Sequence, residues 1–324
     1  MLERPRRWLR QLAHNRSSIR RDIALGLSHA HTLPYAVFPL MHEPSVRSEL
    51  NPKNYNNTGD VLNAISQLLI PAQRESVSQG TLVVRPPRIA NEEHSSRWFF
   101  INGVVSAPPV ALLNAAEIAR IFQRPVHLIH TPTWGLARDI VESVTARTLR
   151  KDGKLSRPAV YVVQEALERH ERVVLFCHSQ GTIVASYIVR KLLRHASTRH
   201  LVQKLELYCI GGVADSLHTD PLLTRAAGHP VPYVEHFANG RDYFARIGVL
   251  SHLDSTAGTV FCVPERSGHL LNEHYLAGIA RGDYCNRRSR LYRYVRGREP
   301  ANTDFLPLQP DSEAAATDQP GLAQ

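Results

Sequence analysis

Apolar residues in this chain gather in short runs, each closed by a turn signal and most followed by a stretch of helical spacing. That alternation is the pattern of a largely parallel sheet covered by helices. The first run, Thr81-Leu82-Val83-Val84, is closed by Pro86-Pro87. Arg97-Trp98-Phe99-Phe100-Ile101 follows and ends at Asn102-Gly103. Ala111 to Phe122 has helical spacing, and Val126-His127-Leu128-Ile129 reads as the next strand. Two helical runs, Trp134 to Leu149 and Pro158 to His170, precede the apolar segment Arg172-Val173-Val174-Leu175-Phe176-Cys177. Later strands are expected over Leu205 to Ile210, Pro232 to Ala238 and Gly258 to Pro264.

The junction after Cys177 is the most informative. The strand pattern stops at His178-Ser179-Gln180-Gly181, and helical spacing begins at once with Ile183, Val184, Tyr187, Ile188, Leu192 and Leu193. A strand that turns directly into a helix strains the turning residue and pushes its side chain above the sheet, so its neighbours must be small. Gly181 meets that demand; Cys177 stands where a glycine is usual. The junction has the outline of a nucleophile elbow, with Ser179 as nucleophile.

An elbow serine needs an acid and then a histidine on loops after later strands. Asn239-Gly240-Arg241-Asp242 closes the run from Pro232, and Gly268-His269 follows the last run. Asp242 and His269 therefore stand where the acid and base belong. Asp215, after the strand ending at Ile210-Gly211-Gly212, is the alternative acid; His274 and His252 are alternative bases. His178, beside the nucleophile, is read as a residue that packs or shapes the pocket.

In these three motifs and their order, residues from about 80 to 295 resemble the α/β-hydrolase superfamily, in its serine esterase and lipase branch. The resemblance implies an α/β-hydrolase fold with a mostly parallel central sheet flanked by helices. It also implies Ser179 as nucleophile, His269 as general base and then acid, and Asp242 as the carboxylate that fixes the histidine tautomer. The oxyanion hole would take the backbone N–H of Gln180 and one from Gly103 or Val104, after the Trp98 strand. The implied activity is cleavage of a small-molecule or lipid ester through an acyl-enzyme. A non-catalytic binding module of the same fold, or an acyltransferase using the same triad, are the competing readings.

Composition narrows the picture further. With 324 residues, 43% of them hydrophobic, the chain can bury one full core. Residues 1–79 read as a basic helix and irregular extension, 80–299 as the catalytic domain with a helical cap around 134–170, and 300–324, rich in Pro, Ala, Asp and Gln, as a disordered tail. Of the four cysteines, Cys177, Cys209 and Cys262 fall in expected central strands and read as buried free thiols, with Cys285 outside them. No zinc spacing, His-Glu-x-x-His or Gly-rich phosphate loop occurs, so no metal or cofactor is expected.

The net charge of +10 comes from two arginine-rich ends, residues 1–22 and 281–299, each contributing +5. Such stretches are read as solvated helix faces or as contacts to an anionic membrane surface, with no nucleic-acid module beside them. Trp8, Leu9, Leu12, Ile19 and Ile23 interleave with arginines as in a short amphipathic helix, which either lies at an interface or packs on the body. No secretory signal pattern and no stretch of transmembrane length is read, so the location expected is cytoplasmic, with peripheral membrane contact as an option.

Overall fold

The near-continuous apolar runs of the central strands are covered on both faces, as a parallel sheet between helices requires. The computed structural model describes residues 16–36, 47–55, 59, 82–87, 96–103, 108–130, 156–214, 217, 230–284 and 288–300. Its strands are β1 (Leu82–Val84), β2 (Ser96–Ile101), β3 (Val126–Ile129), β4 (Arg172–His178), β5 (Leu205–Ile210), β6 (Tyr233–Asn239) and β7 (Thr259–Val263). They form one sheet in the order β1-β3-β2-β4-β5-β6-β7. β1 pairs antiparallel with β3, and every other pair is parallel.

The helices that bear on the site are α1 (Arg16–Ser28), α2 (Pro108–Phe122), α3 (Ser156–Arg169), α4 (Gly181–Arg194), α5 (Tyr243–Ile247) and α6 (Ala277–Arg281), the last preceded by a π-helical turn, Leu271–Leu276. Strand side chains alternate between two cores. Trp98, Phe100, Val174, Phe176, Tyr208 and Phe237 share one with α2, the π-helical turn and α6. Phe99, Ile101, Leu175, Cys177, Leu207 and Cys209 share the other with α3 and α4. Each such fully buried large apolar side chain contributes about 1.5–3 kcal/mol.

Four details depart from the sequence pattern or sharpen it. Cys262 is exposed, because β7 is an edge strand with only β6 beside it. α3 buries Ala159, Val163 and Leu167 against the sheet and α4, so it is part of the body; Trp134 to Leu149, the other helical run assigned to a cap, lies outside the described residues. Arg290, within the arginine-rich C-terminal stretch, is buried at 4% exposure. Its Nη1 donates to Glu206 at 3.3 Å, and its guanidinium lies 3.5 Å over the Tyr233 ring. α1 directs Leu25 toward the body, while Ile23 and Leu27 are exposed. Residues 1–15 and 301–324, and with them four of the seven N-terminal arginines and the tail, lie outside the described residues. Among the described residues no helix is long and apolar enough to cross a membrane.

Candidate active site

Ser179 ends β4 and heads α4 with φ at +52°, the left-handed region that a side-chain-bearing residue enters only at a cost. Three contacts over-determine that strain. The Ser179 N–H donates to the Ile210 carbonyl at 3.0 Å, and the Ser179 carbonyl accepts from the Thr182 N–H at 3.1 Å and the Thr182 hydroxyl at 2.7 Å. A Cβ on Gly181 would stand 2.5 Å from the Ile101 carbonyl oxygen, so α4 can start this close to β2 only with glycine there. Cys177 fits in place of the other elbow glycine because its side chain faces the buried layer under α3 and α4. Burial pushes its thiol well above the usual range, which leaves it inert.

The carboxyl ends of β6 and β7 bring Asp242 and His269 into contact, and Ser179 follows β4 in the same sheet. Asp242 caps α5, its Oδ1 accepting from the Phe244 N–H at 2.9 Å. Its Oδ2 accepts from His269 Nδ1 at 2.8 Å and from the Tyr275 hydroxyl at 2.6 Å. With Nδ1–H committed to the carboxylate, His269 Nε2 is the bare, basic nitrogen. His269 Nε2 and Ser179 Oγ are both buried with no hydrogen-bond partner. A mostly parallel seven-stranded sheet with helices on both faces carries these groups.

No protein-family model and no curated protein matches this chain. Among solved structures, a bacterial heroin esterase is similar at 13% identity and a TM-score of 0.37, covering 72% of this chain and 90% of its own. An arylesterase is similar at 8% identity and a TM-score of 0.35, covering 66% and 85%. An esterase of Pyrobaculum calidifontis is similar at 12% identity and a TM-score of 0.35, covering 63% and 79%. At that distance no activity or residue role is transferred from them.

The turn at Ser179 faces Gly103, just after β2. A Cβ on Gly103 would lie 2.7 Å from Ser179 Cβ and 2.9 Å from His178 Nδ1, so its backbone lies directly against Ser179. Asn102, fully buried, donates from Nδ2 to the Gly103 carbonyl at 3.0 Å and braces that loop. Gln180, the other expected oxyanion donor, has helical φ and ψ at the head of α4. Val104 and the alternative acid Asp215 lie outside the described residues.

The alternative histidines have other work. His274 Nδ1 accepts from the Leu270 N–H at 3.0 Å, inside the loop of the base. His252 Nδ1 donates to the Gly248 carbonyl at 3.0 Å, away from the Asp242–His269 pair. His178 does more than pack: its ring stacks on His269, and Phe244 lies against His269 with ring centroids 4.2 Å apart. Burial, then the neighbouring His269, holds His178 well below the usual histidine range, so it is neutral.

Pattern reading missed the residues that join the acid and base loops. Tyr275 OH donates to Asp242 and accepts from the Asn239 N–H at 3.1 Å, and burial holds its hydroxyl well above the usual range, which keeps the donor proton in place. Asn239, fully buried, donates from Nδ2 to the Gly268 carbonyl at 3.0 Å and accepts from the Tyr284 hydroxyl at 2.5 Å. Among the described residues no group of three or more His, Cys, Asp or Glu is placed to hold a metal ion.

Proposed function

We propose that the protein is a serine hydrolase that cleaves carboxylic esters, of small molecules or lipids, through an acyl-enzyme on Ser179. The observation that carries this reading is the pair of buried, unpartnered reacting atoms, Ser179 Oγ and His269 Nε2, beside an Asp242–His269 hydrogen bond that fixes the histidine tautomer. A binding module has no use for a strained serine at φ +52° with its hydroxyl held free.

His269 Nε2 takes the Ser179 proton as Oγ attacks the ester carbonyl, and Asp242 offsets the imidazolium that forms. The Gln180 N–H and an N–H from the Gly103–Val104 loop receive the developing oxyanion. Collapse passes the proton from His269 to the leaving alcohol and leaves the acyl group on Ser179. Water, deprotonated by His269, then attacks the acyl carbon; collapse breaks the acyl–Oγ bond, His269 returns the proton to Ser179 Oγ, and the acid is released. An alcohol in place of that water would give acyl transfer with the same groups.

A series of p-nitrophenyl acyl esters tests the reading. Wild type is expected to turn over at least one chain length, and Ser179→Ala to lose roughly 10⁴-fold or more in kcat. A folded wild type with no turnover across the series, or a Ser179→Ala variant as active as wild type, contradicts it.

A further inference from the structure

Glu49 lies in none of the elements that carry Ser179, Asp242 or His269, yet its carboxylate is buried against the base loop. Oε1 accepts from the Asn272 N–H at 2.7 Å and Oε2 from the Glu273 N–H at 3.1 Å. These are first-turn donors of the π-helical turn Leu271–Leu276, whose N-cap, Leu270, offers no side-chain acceptor. Helix-start N–H groups need an outside acceptor when the helix cannot supply one. Here a residue more than two hundred positions away supplies it. Asn272 answers with its own side chain, donating from Nδ2 to the Arg47 carbonyl at 2.9 Å, so segment and turn are tied at two points.

The acid loop is held from the same part of the chain. Leu25 and Leu33 pack with Tyr243, Phe244 and Ile247, the residues that follow Asp242. Tyr243 OH also reaches the Gly26 carbonyl at 3.4 Å. Two independent contact sets from the region before the sheet thus end on the two loops whose relative position sets the Asp242–His269 geometry. Burial of the Glu49 carboxyl makes its tie rigid, because any shift that broke both hydrogen bonds would leave polar groups on both sides unsatisfied in the interior.

We infer that the region preceding the sheet braces the acid and base loops, and that Glu49 is a positioning residue that sets where His269 stands. The inference rests on the triad reading of the proposed function. Glu49 touches no reacting atom; it acts through the backbone of Asn272 and Glu273.

The test compares full-length wild type and Glu49→Ala by ester kinetics and by the far-downfield proton resonance of His269 Nδ1–H, assigned by its loss in Asp242→Asn. A displacement of the histidine on the order of 1 Å can cost about a hundredfold in rate. Glu49→Ala is therefore expected to lower kcat by about ten- to a hundredfold at nearly unchanged KM, to shift the histidine resonance, and to recover part of kcat with added formate. A folded Glu49→Ala with the wild-type resonance, or with wild-type kcat, overturns the inference. A wild type without esterase turnover whose resonance still moves in Glu49→Ala supports the brace and sinks the esterase reading. If Glu49→Ala does not fold, Glu49→Gln, which keeps one acceptor oxygen, is read instead: an intermediate loss supports the inference and a wild-type rate overturns it.

Discussion

The imidazole of His178 stacks on that of His269, with ring centroids 4.6 Å apart, and its Nε2 donates to the His269 backbone carbonyl at 2.9 Å. His178 therefore holds both the ring and the backbone of His269. Because a carbonyl can only accept, the His178 proton sits on Nε2, and its neutral ring does not compete with His269 for the proton that leaves Ser179.

His178→Ala removes stack and hydrogen bond together. We expect kcat to fall by about ten- to a hundredfold with KM changed far less, since a misplaced base slows chemistry without altering ester contacts. His178→Phe keeps a stacked ring and is expected to retain more activity than His178→Ala. Steady-state kinetics on one ester decides it, and equal rates for all three proteins would remove His178 from the positioning of the base.

Asp242 holds three donors, from Phe244, His269 and Tyr275, and no water-facing surface. Asp242→Asn is expected to lower kcat by roughly 10⁴-fold, by favouring the wrong histidine tautomer. Tyr275→Phe leaves the His269 contact in place but strands the Asn239 N–H. It is expected to cost about 1–3 kcal/mol of stability in thermal unfolding, with a smaller loss of kcat than Asp242→Asn.

Much of this site was legible as pattern. Parallel strands buried on both faces read as apolar runs, and the turn at Ser179 leaves small residues and an abrupt change of period, so the elbow and the ends of β6 and β7 stood out. What joins the loops did not, since Glu49 meets Asn272 only after the chain has folded, and nothing local marks Tyr275 or Asn239 as partners of Asp242. Cys262 has the same apolar setting in sequence as Cys177; its exposure comes from strand order, because β7 has one neighbour where β4 has two. Arg290 looked like one more solvated arginine because Glu206, its partner, lies on β5, far away in the sequence.

Gly103 allows no side chain. Gly103→Ala would drive a Cβ to 2.7 Å from Ser179 Cβ, and both atoms are fixed by backbone. Esterase activity is expected to be lost while circular dichroism shows the sheet and helices retained. Wild-type activity in this variant would mean that the loop after β2 does not stand against the nucleophile.

Burial, opposed by the N–H groups of Asn272 and Glu273, pushes the Glu49 carboxyl up to about 7 from an ordinary 4.5, with the nearby Glu273 carboxylate adding to the rise. An acid whose folded pKa is raised binds its proton more tightly in the native state, so its contribution is fully present below pH 4.5 and is lost as pH rises through 7. That swing amounts to about 3 kcal/mol at most. Glu49→Gln cannot titrate, so its melting temperature relative to wild type is expected to rise between pH 5 and pH 8. A constant difference across that range would place the Glu49 carboxyl in the ordinary range.

The most direct test of the account is to label the purified full-length protein with a fluorophosphonate and locate the modified residue by peptide mass spectrometry, beside Ser179→Ala. Modification at Ser179, absent in the variant and slowed in Asp242→Asn, is the expected result. A folded wild type that takes no label, or takes it at another serine, would contradict the assignment of Ser179 as an activated nucleophile.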